Sequence, residues 1–259
     1  MRKVYRSCAC IVVIQMTIPI LHRTNSEQNV MTSLLTPLGR FLSASRWSAS
    51  LSVDELRRVE SEIMVKKISA GGYVCRKGEP VDAWIGVISG LAKMSLFSAS
   101  GKLTTLTGVP SGGWFGEGSI MKDEARKYDI MALRACQVAY MPRATFMRLL
   151  NTNIGFNRFL IVQLNERLGQ FITIVEGERL LEPDARVARA LGALFNPVLY
   201  PGLGRELQIS QEEIGLLSGV SRQRVNQALQ VLERAGLLKV ESVGITVVDL
   251  PGLQRFEAS

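Results

Sequence analysis

The spacing of apolar residues changes twice along the chain. Between residues 63 and 141, short apolar runs are separated by glycine-bearing breaks, and the runs are Tyr73 to Cys75, Trp84 to Ile88, Leu91 to Phe97, Leu103 to Thr107, Ile130 to Leu133 and Gln137 to Met141. Turn residues at intervals of about 8 to 12 positions between such runs are typical of antiparallel strands. This part is therefore predicted to form an antiparallel β-roll of the jelly-roll or double-stranded β-helix type.

Helical spacing begins near Thr145 and strengthens after Phe156. Spacings of three and four then alternate along one series of apolar positions, which are Ile161, Leu164, Leu168, Phe171 and Val175. This series has the a/d pattern of a helix that dimerises, but it also fits a helix packed on its own domain. Pro183 interrupts the pattern and predicts a hinge at residues 181–183, followed by a helix from Asp184 to Leu194.

The remaining chain has the pattern of two short helices and a hairpin. Ser210 and Glu213 form a capping box, as Ser52 and Glu55 do before a helix that is predicted to reach Glu62. Glycine at 219 ends the first helix, Ser221 is a good N-cap for the second, and glycine at 236 ends it. Residues 237–241 and 244–248 then form two strands, which gives a winged helix-turn-helix and an overall α+β fold.

The second helix of this motif has one face rich in long polar side chains. Arginine can grip guanine, and glutamine or asparagine can grip adenine, in the major groove of double-stranded DNA. An ordinary solvated helix face is the alternative, because these residue types are common on surfaces. The predicted DNA-binding residues are Ser221, Arg222, Gln223, Arg224, Asn226 and Gln227. Of these, Ser221 and Arg224 are expected to contact phosphates.

Composition indicates a folded chain but does not by itself locate a DNA-binding surface. The chain has 259 residues, 47% of them hydrophobic, and a formal charge of +8. Residues 1–30 carry +3 and residues 31–182 carry +5, whereas residues 183–259 are neutral. The DNA prediction therefore depends on individual positions and not on net charge.

The pattern divides the chain into four predicted regions. These are an extension (1–34), a β-roll (35–150), a helix and hinge (151–182) and a winged helix-turn-helix (183–259).

The number and spacing of the cysteines argue against a zinc site. Cys8, Cys10, Cys75 and Cys136 have no zinc-ligand spacing, and scattered cysteines fit the reducing cytoplasm. The apolar stretch from Cys8 to Leu21 is too short for a membrane span of roughly 20 residues, so no membrane contact is expected. We interpret residues 1–34 as a disordered extension, or as the result of an upstream start codon with Met31 as the true beginning.

The order of elements over residues 35 to 250 resembles the CRP/FNR transcription regulators. Three stretches carry the resemblance: ISQEEIGLLSGVSRQRVNQALQVLERAGLL (Ile209 to Leu238), KGEPVDAWIGVISG (Lys77 to Gly90) and GGWFGE (Gly112 to Glu117). The resemblance implies a cyclic-nucleotide-binding-like roll and a homodimer that binds near-palindromic DNA, with RNA polymerase as a further partner. It places Arg222, Gln223 and Gln227 at base-reading positions, although cyclic-AMP-responsive members usually have glutamate where Gln223 stands.

The same resemblance identifies a degenerate effector pocket. Gly116 and Glu117 match the pair that holds the ribose, but the arginine-serine pair for the cyclic phosphate is replaced by Arg126, Lys127 and Tyr128. Phe171 and Ile172 stand where polar residues would touch the purine. We therefore expect no response to cyclic AMP, and another effector or none. An iron-sulfur centre is not expected because the cysteine pattern does not fit, nor is haem, because the only histidine is His22 in the extension.

Two other classes of function are weighed against the regulator. A roll that binds a substrate could belong to an enzyme using carboxylates for acid-base catalysis. No GxSxG, HExxH or Walker-type motif is present, so no catalytic residue is predicted. The roll and the helical seam could also form an interaction module that has lost DNA binding.

Overall fold

The computed structural model describes residues 36–97, 103–180, 182–201 and 203–257. Predictions about the extension, including those on Cys8, Cys10, His22 and Met31, lie outside these residues, as does Leu181 of the predicted hinge. In chain order the elements are α1 (Pro37–Ala44), a 3-10 helix (Arg46–Ser50), α2 (Val53–Glu62), β1 (Met64–Ile68), β2 (Tyr73–Cys75), β3 (Ala83–Ser89), β4 (Leu91–Phe97), β5 (Leu103–Pro110), β6 (Trp114–Phe115), α3 (Glu117–Lys122), β7 (Asp129–Ala132), β8 (Cys136–Pro142), α4 (Arg143–Thr152), α5 (Ile154–Leu180), α6 (Pro183–Ala193), β9 (Glu206–Leu207), α7 (Gln211–Ser218), α8 (Arg222–Arg234), β10 (Leu238–Glu241), β11 (Gly244–Val247) and α9 (Leu250–Arg255).

The β-roll consists of two four-stranded antiparallel sheets, in the orders β1-β8-β3-β6 and β2-β7-β4-β5. Every predicted strand is present, which confirms the roll. Strands β1 and β6 and helix α3 were not predicted. β1 lies at the edge of its sheet, with four of its five residues exposed, so it lacks the alternation that marks a half-buried strand. β6 has only two residues, too few for a pattern.

An aromatic cluster holds the roll against the helices. Trp84 and Trp114 stack with ring centroids 4.3 Å apart, and Trp47 and Phe156 meet them edge-on or tilted at 5.5 to 5.9 Å. Such aromatic pairs add to the burial of area itself. Because Phe156 belongs to the first turns of α5, the cluster fixes the start of this long helix on the roll.

The long helical pattern after residue 145 is divided into two helices. α4 ends at Thr152, and Asn153 caps α5 by accepting a hydrogen bond from the Phe156 amide at 2.8 Å. The helical spacing predicted from Thr145 onward is thus divided at Asn153, because asparagine competes for backbone hydrogen bonds and favours a helix start. α5 then runs for 27 residues to Leu180.

The C-terminal part forms the predicted winged helix-turn-helix. Ser52 and Ser210 cap their helices in capping boxes with Glu55 and Glu213, as predicted. Gly219 ends α7 with a φ of 66°, a left-handed conformation that favours glycine. The hairpin β10-β11 gains a third strand, β9, and α9 follows it. Both additions were missed because they are only two and six residues long.

The roll and the winged helix-turn-helix share buried contacts. Tyr200 follows α6 but lies in the core of the roll, where its hydroxyl donates to the Gly108 carbonyl at 3.0 Å. Leu91 of the roll lies in turn in the core of the winged domain. A cleft of about 950 Å³ remains between β5, α5 and α6. In this arrangement the two parts are held together by packing as well as by the connecting chain.

Candidate DNA-binding face and effector pocket

Helix α8 separates its side chains into a buried and an exposed face. Val225, Ala228, Leu229 and Leu232 are at most 2% exposed in the core that α8 shares with α6 and α7. The opposite face is open to solvent and consists of Arg222, Gln223, Asn226, Gln227 and Gln230. This division follows from apolar residues three and four positions apart. The exposed face offers hydrogen-bond donors of the kind that read base edges.

Two of the predicted DNA-binding residues, Ser221 and Arg224, form contacts within the protein. Ser221 is the N-cap of α8, and its side chain accepts from the Arg224 amide at 3.4 Å. Arg224 is half-buried, and its guanidinium lies 2.9 Å from the carboxylate of Asp184 at the start of α6. Its other terminal nitrogen donates to the Gln227 side-chain oxygen at 3.2 Å. Arg224 therefore has partners within the protein, whereas Arg222 is exposed and has no ion pair among the described residues.

A groove of about 510 Å³ lies beside this face, between the start of α7, the start of α8 and the wing. Arg222 lines the groove, and so does Arg134 from the roll. Arg134 binds Glu213 in a bidentate ion pair, with Nε and Nη2 at 2.8 and 2.6 Å from the two carboxylate oxygens. This pair ties the first helix of the motif to the roll, and sequence reasoning missed it because the partners are 79 positions apart.

Gly116 connects β6 to α3, and Glu117 is the first residue of α3. Gly116 has a φ of 90°, and a side chain there would collide with Arg126 Nη1. The Glu117 side chain is buried, and its Oε2 has no hydrogen-bond partner among the described residues. A buried carboxylate oxygen without a partner is costly, so this position has the capacity to hold one further donor.

The next predicted effector residues separate in space. Arg126 is buried, and its Nη2 donates to the Ala83 carbonyl at 2.6 Å, while Nη1 has no partner among the described residues. Lys127 is exposed and pairs with Glu124 at 2.7 Å, so it is not brought together with the others. Burial, and then the nearby Glu117 carboxylate, raise the pKa of Tyr128 above its ordinary range. Glu117, Arg126 and Tyr128 therefore lie close enough to interact electrostatically.

Helix α5 adds a buried arginine to this group, and sequence reasoning did not single it out. Arg167 is buried and donates to the Trp114 carbonyl at 3.0 Å and to the Tyr200 hydroxyl at 3.1 Å. Burial opposes its charge, but Tyr200, Glu117 and Tyr128 outweigh that effect and raise the pKa of Arg167. Phe171 and Tyr128 both pack against the core of the roll. The sequence could not identify Arg167 as a buried residue, because its partners are a backbone carbonyl and a distant tyrosine, which leave no pattern in the spacing of residues.

The opposite side of α5 is apolar and exposed. Ile161, Leu168 and Val175 repeat every seven residues and are 67%, 59% and 53% exposed. Ile172, 62% exposed, lies on the same side, whereas Leu164 and Phe171 are half-buried. Three of the five predicted seam residues thus point away from the roll, and Phe171 packs on it.

Other candidate chemistry gives no sign of a reactive site in the described part of the chain. Cys75 and Cys136 are free and buried. Burial is the main cause that raises the pKa of Cys75 to about 11, so its thiolate is disfavoured. Among the described residues, no helix combines the length and apolar character needed to span a bilayer.

Comparison with protein families gives two matches. Residues 65–153 match the model of the cyclic nucleotide-binding domain, and residues 185–256 match that of the Crp-like helix-turn-helix domain. Together the two models span more than half of the chain. The matched segments coincide with the β-roll and with the winged helix-turn-helix.

Curated relatives are similar over nearly their whole length. The cAMP-activated global transcriptional regulator CRP of Pasteurella multocida is 25% identical over 191 residues, 72% of this chain and 91% of that protein. The CRP of Haemophilus influenzae is 24% identical over 221 residues, which span 84% of this chain and 98% of that protein. These relatives are transcription regulators and not enzymes.

Solved structures show the same fold. FixK2 of Bradyrhizobium japonicum superposes with a TM-score of 0.59 at 17% identity, over 76% of this chain and 98% of that one. The c-di-GMP-responsive global regulator CLP of Xanthomonas campestris gives a TM-score of 0.53 at 22% identity, over 76% and 99%.

Proposed function

Because the chain belongs to the CRP/FNR family of DNA-binding transcription regulators, we propose that it acts in the cytoplasm as a homodimer on a near-palindromic operator. The exposed polar face of α8, held on a buried apolar face, carries this proposal. In a two-fold dimer, two such helices enter successive major grooves about 34 Å apart. RNA polymerase is included as a partner because the family acts on transcription.

The roles proposed for the DNA-binding residues follow from their surroundings. Arg222, Gln223, Asn226 and Gln227 are exposed and would face base edges. Ser221 and the free amides at the start of α8 would contact a phosphate. Arg224 is engaged by Asp184, so a phosphate would have to share it with that carboxylate.

Selection of bound fragments from random DNA tests this proposal. We expect an inverted repeat whose half-sites are centred about 10 base pairs apart, or a multiple of that spacing. A single asymmetric motif would contradict the two-fold arrangement. Failure to enrich any sequence would contradict sequence-specific binding altogether and favour an interaction module.

Replacing Arg222 by alanine is expected to weaken operator binding by about 1 to 3 kcal/mol and to relax the preference at one base pair of each half-site. The physical reason is that Arg222 is exposed and has no ion-pair partner among the described residues. Fluorescence anisotropy with operator and with random DNA measures both effects. Equal weakening on the two DNAs would indicate a phosphate contact instead. Arg234→Ala, on the same helix but in its last turn, is the matched control.

We further propose that cyclic AMP is not the effector. The support is that Lys127 points outward to Glu124, and that the aromatic side chains Tyr128 and Phe171 pack where a nucleotide would need room. Glu117 Oε2 and Arg126 Nη1, which have no hydrogen-bond partner among the described residues, leave capacity for a smaller polar molecule. Any effector would act through different affinities for the states that bind and do not bind DNA.

Calorimetric titration with cyclic AMP is therefore expected to show no binding at micromolar concentration. The Tyr128→Ser variant, which removes the large ring, is the matched test of the steric argument and is expected to gain affinity. Micromolar binding by the wild-type protein that disappears in Glu117→Ala would contradict the proposal.

A further inference from the structure

The amide of Gln227 has an orientation fixed by chemistry. Arg224 Nη1 donates to its oxygen at 3.2 Å. A guanidinium has only donors, so the group that faces it must be the amide oxygen, however the oxygen and nitrogen of the amide are assigned. The –NH₂ group is then directed away from Arg224. Asn226 differs, because its partner Gln211, at 3.3 Å, is another amide and either orientation satisfies the pair.

The arginine that orients Gln227 is itself anchored. Arg224 Nη2 lies 2.9 Å from Asp184 Oδ1, and the Asp184 side chain is only 12% exposed. The contact is an ion pair without the alignment of a full hydrogen bond, since Oδ1 has no hydrogen-bond partner among the described residues. An exposed pair alone would be weak. A sheltered carboxylate, in contrast, strongly disfavours the loss of its counter-charge, so Arg224 is held when DNA approaches.

We propose that Asp184 and Arg224 set the base preference of Gln227. Glutamine binds adenine through two groups, with its oxygen accepting from the adenine amino group and its nitrogen donating to N7. With its oxygen directed at Arg224, Gln227 has its –NH₂ donors free while its acceptor is engaged. Guanine presents two acceptors and no donor at this edge, so it suits Gln227 better than adenine, whose amino group needs an acceptor. Gln227 therefore reads guanine. Asp184 stands in the first turn of α6, so the residue that anchors Arg224 belongs to a different helix from the one that reads the base.

This inference rests on the proposed function, and selection from random DNA tests both. Comparison of the full-length wild-type protein with Gln227→Ala identifies the base pair that Gln227 reads. We expect guanine there for the wild type. Arg224→Met, which removes the donor, is expected to shift the adenine-to-guanine ratio at that base pair by about fivefold or more, with a smaller shift in the same direction for Asp184→Asn. Loss of a phosphate contact alone would lower affinity without moving the preference.

Gln211→Ala is the matched control, because it removes the side-chain partner of Asn226 on the same face and leaves Arg224 intact. It should leave the base at the Gln227 position unchanged. Circular dichroism confirms folding, and Asp184→Asn carries the test if Arg224→Met does not fold. Adenine at this position in the wild type, or guanine retained in both variants, overturns the inference while leaving the regulator intact. No enriched motif in the wild type overturns both.

Discussion

Replacing Leu168 by glutamate is expected to convert the protein into a monomer and to weaken operator binding by about 100- to 10,000-fold, because a bivalent contact becomes monovalent. Leu168 lies in the middle of the exposed apolar side of α5, with Ile161 one heptad before it and Val175 one heptad after. In a two-fold dimer each residue near the axis meets its own copy. Two glutamates would then face each other in a water-poor seam, which is strongly unfavourable.

Sedimentation equilibrium and anisotropy titration measure the two parts of this prediction. Thr173→Glu is the matched control, since Thr173 is also exposed on α5 but lies off the apolar side, where its hydroxyl bonds the Gly169 carbonyl. The control is expected to remain dimeric. A dimeric Leu168→Glu protein with unchanged affinity would show that the exposed side of α5 is not the dimer interface. Monomeric protein that binds operator at full strength would show that binding does not need two subunits.

The sequence predicted local features well where the physical cause is itself local. The Ser210–Glu213 capping box and the left-handed glycine at 219 depend on neighbouring residues only, and both are present. The same holds for the polar face of α8, because helical periodicity decides which residues are buried. Periodicity alone did not predict which of the five seam residues on α5 are exposed. Leu164 and Phe171 follow the predicted spacing but are half-buried, because α5 has to serve the roll as well as the solvent side.

The contacts that periodicity could not provide are those between distant segments. Arg134 meets Glu213, Arg224 meets Asp184, and Arg167 meets Tyr200, with 79, 40 and 33 positions between partners. Each arginine is ordinary when considered within its own element, and only the packing of the roll, α5 and the winged helix-turn-helix brings the partners together. For the same reason the sequence did not predict that Arg126 is buried while its neighbour Lys127 is exposed. Both lie in the irregular segment between α3 and β7, where Arg126 turns inward to the Ala83 carbonyl and Lys127 outward to Glu124.

Replacing Trp84 by alanine is expected to lower the free energy of unfolding by about 3 to 5 kcal/mol, because a large buried side chain leaves a cavity. Trp84 is fully buried and stacks on Trp114. Trp114 in turn accepts hydrogen bonds from Gln163 and Arg167 of α5 through its carbonyl, two residues before Gly116. A cavity beneath this stack would weaken the packing of the roll and the contacts that hold α5 against it.

Urea unfolding of the full-length protein measures the loss, and Trp84→Phe is the matched control. Phenylalanine keeps an aromatic ring in place and removes the indole N–H, which is buried without a partner among the described residues. A buried donor without an acceptor is unfavourable, so its removal offsets part of the lost volume. We therefore expect Trp84→Phe to cost less than half as much as Trp84→Ala. Equal losses would mean that the indole N–H is satisfied in solution, and a loss below about 1 kcal/mol for Trp84→Ala would show that the site collapses without leaving a cavity.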